Sequence, residues 1–419
     1  MKAVIAANGS RGDLQPMLVL TRALKARGHD VILAGTPSFA GWAAETGIPF
    51  QHSGTDLQAF LQSNRDTTDS PLAFFRRAWG MLNDEVESQF QGVLAASEGA
   101  DLVVSGGAQI SGGTVAVHRG AVHVAVAYVS VLLPSHDHAP PAVPFTRTPR
   151  WLNRLMWWAY DKTMLFMVRR ALNGNRARLG LPMSTSALEA FAPHHLLLAA
   201  DPEISPMPVE LAPRCTQTAA LTLVTDENLP PEVDAFIRDG TPPIYVGFGS
   251  MVDKDPRRTT QLLLDAVELA GVRAVISKGW AGFAEGALPS SCLAVGSMPH
   301  HALFPRMAAI VHHGGAGTTA AASRSGVPQV VVPHIADQFY FGHRVRTLGV
   351  GATPIPRTRL TAPRLAAAIQ QCVSDETMRA RARELAGRLA QRHGVEETVA
   401  FLERLAEQRR AKVPLALAG

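Results

Sequence analysis

One pattern constrains the fold of this chain more than any other: a short apolar segment, a turn with glycine and a helical segment follow one another near the start and again beyond the middle. Residues 3–7 form the first apolar segment, and residues 14–27 have helical periodicity, with Pro16 close to the first turn. Residues 31–34 supply another apolar segment. This order predicts a β-α-β unit and therefore parallel strands. A second series begins at residues 244–250, which predicts a second parallel sheet.

The chain of 419 residues exceeds what one ordinary α/β domain needs, so we expect two domains. Residues 225–243 are rich in proline and acidic residues and are predicted to link domains 1–224 and 244–395. Residues 396–419 would form a C-terminal helix and tail that can pack back on the first domain. Ligands of parallel sheets bind beyond the carboxyl ends of the strands, where all the notable loops lie. The expected fold class is therefore α/β, with two Rossmann-like parallel-sheet domains facing across a cleft.

The composition indicates a globular protein and argues against nucleic acid as a partner. Hydrophobic residues make up 47% and charged residues 18% of the chain, which is unlike a disordered protein. The net charge of +5 is spread along the chain. In the densest basic segment, 379–410, arginine alternates with glutamate and alanine, as on solvated helix faces. The chain has no zinc-finger spacing and no aromatic-basic RNA signature.

The cysteines and the start of the chain predict a cytoplasmic location. Cys215, Cys292 and Cys372 are far apart and odd in number, so they form neither a disulfide framework nor a CxxC site, which favours a reducing compartment. The first strand follows Met1 and Lys2 at once, which leaves no room for a signal peptide. No apolar run reaches the ~18 residues of a membrane span.

The segment 311–319 contains two histidines and three glycines between an apolar strand and a helical segment. Glycine permits positive φ and lets a ligand touch the backbone. The first turn of the following helix offers unpaired N–H groups and about half a positive charge, so the loop is predicted to hold phosphate. The next strand end presents Asp337 and Gln338, a carboxylate and an amide. This pair of sites suits a sugar bound through a diphosphate.

The turn 9–13 lies between the first strand and the first helix but lacks the dinucleotide fingerprint. It is not GxGxxG, and no GxxxxGK[ST] segment occurs in the chain, so a nicotinamide or ATP fold lacks its expected motif. Asp13 lies just before the predicted helix and has two interpretations. It can cap the helix, or it can act as a general base at a strand end that faces the cleft.

Other polar residues also allow a structural and a functional interpretation. Ser250 can bind phosphate or close a turn. His312 and His313 can be core histidines, although two of them before a glycine loop favour phosphate contact by one. No carboxylate stands three or four residues away from them, so no metal site is predicted. Asp337 can cap a helix instead of facing a ligand.

A proline-rich segment and an amphipathic helix are predicted in the second half of the first domain. Residues 134–150 carry five prolines and no periodicity, which indicates a long loop of the kind that is often functional. Residues 151–170 are predicted to be helical. This helix can pack on its own domain, form a lid over an apolar ligand, or lie on a membrane surface, for which the rest of the sequence offers no support.

Together these motifs resemble those of a known family. The whole chain resembles bacterial GT-B glycosyltransferases of the UDP-glycosyltransferase superfamily, especially those that glycosylate antibiotics, macrolides, sterols and similar lipophilic acceptors. Each matching segment is modest alone, but their order and their spread over nearly the full length are specific. The segments are 9–16, 28–31, Gly249-Ser250, Pro299-His300, 312–318, 326–328 and Asp337-Gln338.

The resemblance implies an inverting transfer without a cofactor or catalytic metal, from a UDP- or dTDP-sugar to a hydroxyl of a hydrophobic small molecule. It places the catalytic base on Asp13. Ser297 stands where plant members carry a tryptophan, so ring stacking by that route is absent. The implied donor-binding residues are Ser10, Arg11, Gly12, Ser250, Met298, His300, His312, Gly314, Gly317, Thr318, Asp337 and Gln338. The implied acceptor-binding residues are Phe74, Trp79, Trp151 and Trp157.

The expected partners are therefore the nucleotide-sugar donor and the acceptor, with the chain as a monomer or a homodimer. Two other interpretations stay open at this point. A non-catalytic nucleotide-sugar-binding protein would share the same loops. An NAD-dependent enzyme would share the sheet architecture, although its fingerprint is missing.

Overall fold

The computed structural model describes residues 1–55, 71–141, 143, 148–222, 228–249, 251, 253, 255–279, 282–284 and 286–412, except for the side chains of 71–79 and 412. Two parallel sheets organise this part of the chain. Helices flank both sheets, as the connections between parallel strands require. The predicted α/β class with two Rossmann-like domains is therefore confirmed.

The first sheet has seven strands in the order β3-β2-β1-β4-β5-β6-β7, all parallel. The strands are β1 Lys2–Asn8, β2 Asp30–Gly35, β3 Phe50–His52, β4 Leu102–Gly107, β5 Val122–Ala127, β6 His195–Ala199 and β7 Cys215–Thr218. The strand order reverses between β1 and β4, so the loops that follow these two strands diverge and leave a crevice. The turn 9–13 lies at this point.

The helices of the first domain are α1 Arg11–Ala26, α2 Ala40–Glu45, α3 Pro71–Ala96, α4 Gly112–Arg119, α5 Arg150–Arg178 and α6 Ala187–Phe191, with short 3-10 turns at Pro37–Phe39, Ser130–Leu132 and Val209–Leu211. Helix α1 begins three residues before the predicted start. Ser10 is its N-cap residue, and Asp13 is the third helical residue, whose side chain accepts the Ser10 backbone N–H in a capping box. Asp13 therefore supports the cap from inside the helix and is not the N-cap residue itself.

The second sheet has five parallel strands in the order β10-β9-β8-β11-β12. They are β8 Ile244–Gly247, β9 Ala274–Ser277, β10 Cys292–Val295, β11 Ile310–His312 and β12 Gln329–Val331. The order reverses between β8 and β11, so this sheet too has a crevice, beside the loop that follows His312.

The remaining helices are α7 Pro231–Arg238, α8 Pro256–Ala270, α9 His300–Leu303, α10 Ala316–Arg324, α11 Gln338–Thr347, α12 Ala362–Ser374, α13 Glu376–Leu389 and α14 Gly394–Lys412, with 3-10 turns at Phe304–Arg306 and Arg357–Arg359. Helix α7 lies inside the segment predicted as a linker. Its Val233 and Ile237, four residues apart, are buried in an apolar cluster with Tyr245 and Val295 of the second sheet.

The last helix, α14, lies on the first domain. Its Val399, Leu402 and Leu405 join the apolar cluster that contains strand β1 and helix α1. At the helix surface, Glu403 pairs with Arg27 at 2.9 Å. The chain therefore returns to the domain in which it began.

The two domains meet at residues 201–205, which we call the interdomain seam. Ile204 packs with Phe341, Val345 and Leu389 of the second domain. Arg344 donates to the carbonyl of Ile204 at 2.8 Å and to that of Glu203 at 3.0 Å. Apolar contact and charge-assisted hydrogen bonds thus join the domains on this side.

Candidate active site

A cleft of about 2050 Å³ lies between the domains at the carboxyl ends of both sheets. The loops after β1, β4 and β5 line it from the first domain, and the loops after β8, β9 and β11 line it from the second. Of the site residues predicted from the sequence, the structure brings together here Ser10, Arg11, Gly12, Asp13, Trp157, Met298, His300, Gly317, Thr318, Asp337 and Gln338. Ser250 and the side chains of Phe74 and Trp79 lie outside the described residues.

The carboxylate of Asp13 is fixed by its neighbours in the first turn of α1. Its Oδ2 accepts hydrogen bonds from the backbone N–H of Ser10 at 2.8 Å and from the Ser10 hydroxyl at 3.0 Å. Gly9, at φ +128°, could not carry a side chain, since a Cβ would lie 2.5 Å from Oδ2. A Cβ on Gly107 would lie 2.7 Å from the Cβ of Asp13. Backbone from two loops therefore encloses this side chain, and Ser10 positions it.

The surroundings of Asp13 make it a stronger base than an ordinary aspartate. Burial raises the pKa of its carboxyl, and the two hydrogen bonds from Ser10 oppose this only in part. Tyr128 donates its hydroxyl to the backbone carbonyl of Asp13 at 3.0 Å. Burial and the charge of Asp13 raise the pKa of Tyr128, so its phenol stays neutral. Neither Gly107 nor Tyr128 stood out in the sequence.

Asp337 is a second carboxylate in the cleft, contributed by the other domain. It occupies the N-cap position of α11 without a side-chain capping hydrogen bond, so capping does not explain it. Burial, followed by the charge of Asp13, raises the pKa of Asp337 to about 6. Asp13 is therefore close enough to disfavour the charged form of Asp337.

Gln338 shapes the loop before α11. Its Oε1 accepts from the backbone N–H groups of His334 at 2.8 Å and Ile335 at 3.1 Å. These bonds hold a loop in which Ala336 adopts a positive φ of 49°. Gln338 was expected to bind the donor, but its amide oxygen is occupied by backbone N–H groups, and its Nε2 contacts the sulfur of Met251 at 3.4 Å.

His312 and Gly314 build the glycine loop from inside. The Nε2 of His312 lies 2.9 Å from Oε1 of Gln329, and its Nδ1 accepts the backbone N–H of Gly314 at 3.1 Å. The side chain is fully buried. Since both ring nitrogens and the Gly314 N–H have protein partners, the phosphate contacts predicted for these two residues do not fit this geometry. His312 is the core histidine.

His313 is the histidine that lines the cleft. Its Nδ1 has no hydrogen-bond partner among the described residues. The ring lies under two glycines, since a Cβ on Gly315 would be 2.5 Å from Nε2 and a Cβ on Gly249 would be 3.0 Å from Cε1. Burial, with smaller contributions from neighbouring histidines, lowers the pKa of His313 to about 3. A neutral imidazole that lines the cleft therefore keeps one buried nitrogen without a partner among the described residues.

Helix α10 adds backbone donors beside this histidine. Gly315 is its N-cap, and the first N–H to enter the helical ladder is that of Thr319, which bonds the carbonyl of Gly315 at 2.9 Å. The N–H groups of Ala316, Gly317 and Thr318 precede the ladder and lie in residues that line the cleft. Unpaired N–H groups and the helix dipole make this a site for an anion.

Arg11 reaches across the cleft toward the loop after β10. Its guanidinium lies 4.6 Å from the ring centroid of Trp42 and donates to the hydroxyl of Ser297 at 2.6 Å. His300, close by, stacks on Phe304 with centroids 4.2 Å apart. Burial, then the charge of Arg11, lowers the pKa of His300 to about 4. Trp42, which packs against the arginine, belongs to none of the motifs that mark the site in the sequence.

The aromatic residues of α5 divide between the cleft and the surface. Trp157 is buried, lines the cleft and donates its indole N–H to the carbonyl of His138 at 3.0 Å. Trp151 is 68% exposed and is not part of the lining, so its predicted acceptor contact is not supported. Trp158, which was not predicted, lines the cleft.

Known proteins match the chain along most of its length. Two family models match it: the glycosyltransferase family 28 N-terminal domain at residues 3–108, and the erythromycin biosynthesis protein CIII-like C-terminal domain at residues 263–405. A vancomycin aglycone glucosyltransferase of Amycolatopsis orientalis is 33% identical over 395 residues, which cover 92% of this chain and 93% of that protein. The chain belongs to the GT-B glycosyltransferases of the UDP-glycosyltransferase superfamily.

Two further comparisons agree with this family. The O-mycaminosyltylonolide 6-deoxyallosyltransferase of Streptomyces fradiae is 32% identical over 430 residues and covers 98% of each chain. The crystal structure of the glycosyltransferase VinC in complex with dTDP has a TM-score of 0.70 at 21% identity, covering 97% of this chain and 100% of that one, and it shows the same fold. The protein is therefore a glycosyltransferase, and both alternative functions, the NAD-dependent enzyme and the non-catalytic binder, are set aside.

Proposed function

We propose that this glycosyltransferase moves a sugar from a UDP- or dTDP-sugar to a hydroxyl of a hydrophobic natural product or sterol-like lipid, with inversion and without a divalent metal. The names of the relatives support this acceptor class, since one acts on the vancomycin aglycone and another on O-mycaminosyltylonolide. The dTDP bound to VinC supports the donor class. Trp157 and Trp158, which line the cleft, suit an apolar acceptor.

The position of Asp13 carries this proposal. Ser10 holds the Asp13 carboxylate just after β1, in the cleft that the first turn of α10 also lines. An acceptor hydroxyl that donates its proton to Asp13 forms a bond from oxygen to the anomeric carbon. The bond from that carbon to the diphosphate oxygen then breaks, and the diphosphate leaves. Attack from the face opposite the leaving group inverts the anomeric centre.

The leaving diphosphate would be held by α10 and His313. The N–H groups of Ala316, Gly317 and Thr318 point positive dipole ends at it, and His313 donates a hydrogen bond from its neutral ring. Preorganised donors of this kind are each worth about 10²–10³ in rate in other enzymes. They would supply the charge stabilisation that a divalent ion supplies elsewhere. Asp337 would accept hydrogen bonds from hydroxyl groups of the donor sugar.

A turnover screen tests this function. UDP- and dTDP-sugars are combined with hydrophobic alcohols, including glycopeptide and macrolide aglycones and a sterol. Mass spectrometry then detects the added sugar, and NMR coupling constants give the anomeric configuration of the product. We expect a glycoside with inverted configuration, at the same rate with and without EDTA. A retained configuration, or activity that EDTA abolishes and Mg²⁺ restores, would refute the mechanism.

A further inference from the structure

The outer face of α5 exposes large apolar side chains. Trp151, Leu155 and Trp158 are 68%, 52% and 60% exposed. Their spacing of four and three residues places them on one stripe of the helix, opposite the buried Asn153 and Trp157. A protein in water usually buries side chains of this size, and an exposed cluster of them marks a contact surface.

The same face is positively charged. Arg154, Arg169 and Arg170 are exposed, and no described carboxylate pairs with Arg154 or Arg170. Asp161 is the one acidic residue in the sequence of α5, and it is buried. Its Oδ1 accepts from the Ser186 hydroxyl at 2.9 Å and from a backbone N–H at 3.0 Å. Cationic side chains therefore flank the apolar stripe on both sides, and α5 itself contributes no exposed acidic residue.

The exposed apolar side chains and the flanking arginines together indicate which kind of partner this face of α5 can bind. A second copy of the chain, packed through the same stripe, would bring the arginines of both helices together without an acid between them. An anionic lipid surface, which carries phosphate and carboxylate groups above an apolar layer, matches this face of α5 in both charge and polarity. Amphipathic helices with basic flanks and tryptophan bind such surfaces in the plane of the membrane.

We propose that the outer face of α5 docks this glycosyltransferase on an anionic lipid surface. Trp151 and Leu155 enter the boundary between headgroups and acyl chains. Arg154 lies between them in the sequence, and Arg170 lies about four turns further along the same helix. Both reach the lipid phosphates, because long cationic side chains extend toward the charged layer. The helix lies along the surface rather than across it, and among the described residues no helix is long and apolar enough to span a membrane.

The docked face is next to the cleft. Trp158 belongs both to the exposed stripe and to the lining of the cleft. An apolar acceptor dissolved in the lipid would therefore reach the cleft over a short path. This consequence for the acceptor rests on the proposed function, whereas the docking itself does not.

Vesicle co-sedimentation of the full chain tests the docking. Wild type is mixed with vesicles of phosphatidylcholine that contain about one third phosphatidylserine, and with phosphatidylcholine alone. We expect binding to the mixed vesicles that high salt releases, because the Debye length falls to about 3 Å at 1 M. We expect at least tenfold weaker binding for W151A/L155A and for R154E/R170E. None of these four residues lines the cleft, so turnover of a water-dissolved acceptor should not change.

The matched control is L269A/R257E on α8 of the second domain, where Leu269 is 56% exposed and Arg257 is also exposed. It should bind the mixed vesicles like wild type. Absence of wild-type binding, equal binding to neutral vesicles, or equal losses in the control would overturn the proposal. So would a wild-type dimer in sedimentation velocity that W151A/L155A dissociates, since the face would then belong to a second copy. Because the readout is binding, these outcomes are independent of the glycosyl transfer.

Discussion

The two oxygens of Asp13 have different surroundings. Both hydrogen bonds from Ser10 end on Oδ2, so among the described contacts Oδ1 keeps its lone pairs for a substrate proton. The helix-capping role and the proposed base role therefore use different atoms of one carboxylate. A substitution that keeps the oxygen but removes the basicity can separate the two roles.

Asp13→Asn is such a substitution. The amide oxygen can still accept from Ser10, so the free energy of unfolding should change by less than ~1 kcal/mol. Turnover should fall about 10²-fold or more, because the amide cannot accept the proton. The measurement is turnover and melting temperature on one preparation, with Asp30→Asn at an exposed position as the control. Near-normal turnover in folded Asp13→Asn would remove Asp13 from the proton transfer.

The neighbouring histidines should respond differently to replacement by alanine. His313→Ala should weaken calorimetric binding of UDP or dTDP about tenfold or more and leave the fold intact, because the lost imidazole lines the cleft and its Nδ1 has no partner among the described residues. His312→Ala should lower the melting temperature, because it removes the His312 partner of the Gln329 Oε1 and of the Gly314 N–H in the core, at about 1–3 kcal/mol for each. Loss of nucleotide binding in His312→Ala at an unchanged melting temperature would reverse these two assignments.

The raised pKa of Asp337 predicts a pH-dependent stability difference. Its pKa is about 6 in the fold and 3.8 in its ordinary state, so the fold disfavours the charged form. The stability held by the protonated carboxyl is present below about pH 4 and is lost as the pH rises through about 6. Asp337→Asn should therefore melt at a higher temperature than wild type at about pH 8, and the difference should shrink on acidification. A difference that is constant with pH would contradict this.

At the scale of elements, α10 connects the anion site with the interdomain seam. Its first turn lines the cleft, and Arg324 in its last turn pairs with Asp201 of the first domain. The side chain of Asp201 has no exposed area. Burial raises the pKa of Asp201, and the charge of Arg324 opposes this shift. The position of α10 relative to Asp13 therefore depends on a buried ion pair at its far end.

Asp201→Ala should destabilise the protein by about 3–5 kcal/mol, because it leaves the Arg324 guanidinium without its buried partner. We also expect a higher KM for the donor, since α10 would lose one anchor. Glu376→Gln, which removes an 89% exposed carboxylate paired with Arg379, is the control and should change stability by under ~1 kcal/mol. Thermal melting and donor titration measure both effects. Equal melting temperatures in the two variants would show that the seam does not depend on this pair.

Helices α1 and α7 differ from the sequence-based expectation, the first for a local reason and the second for a tertiary one. Helix α1 begins at Arg11 because Ser10 and Asp13 form a capping box that satisfies the first backbone donors. This capping pattern is visible in the sequence, but the predicted start relied on the apolar periodicity, which begins only at Leu14. Helix α7 forms within the expected linker because Val233 and Ile237 find a buried surface on the second sheet. The proline and acidic residues of that segment suggested a linker, and they gave no sign of the two apolar residues that become buried.

For the whole molecule, the local order of apolar segments was sufficient to predict two parallel sheets, because strands covered on both faces are continuously apolar and need helical crossovers. The motifs after β1 and β11 were sufficient to predict a cleft between them, since ligands bind beyond the carboxyl ends of parallel strands. The family followed from the same motifs, and the comparisons confirm it.

The tertiary structure decided which side chain of each motif faces the cleft. His312 and His313 are equivalent in composition, and only the pairing of β11 with its neighbours turns the first inward to Gln329 and leaves the second at the cleft. The same holds for Trp151 and Trp157, of which one is exposed and the other buried. The seam joins Asp201 to Arg324, 123 positions away. Periodicity records local spacing, whereas these outcomes depend on contacts between residues distant in the chain.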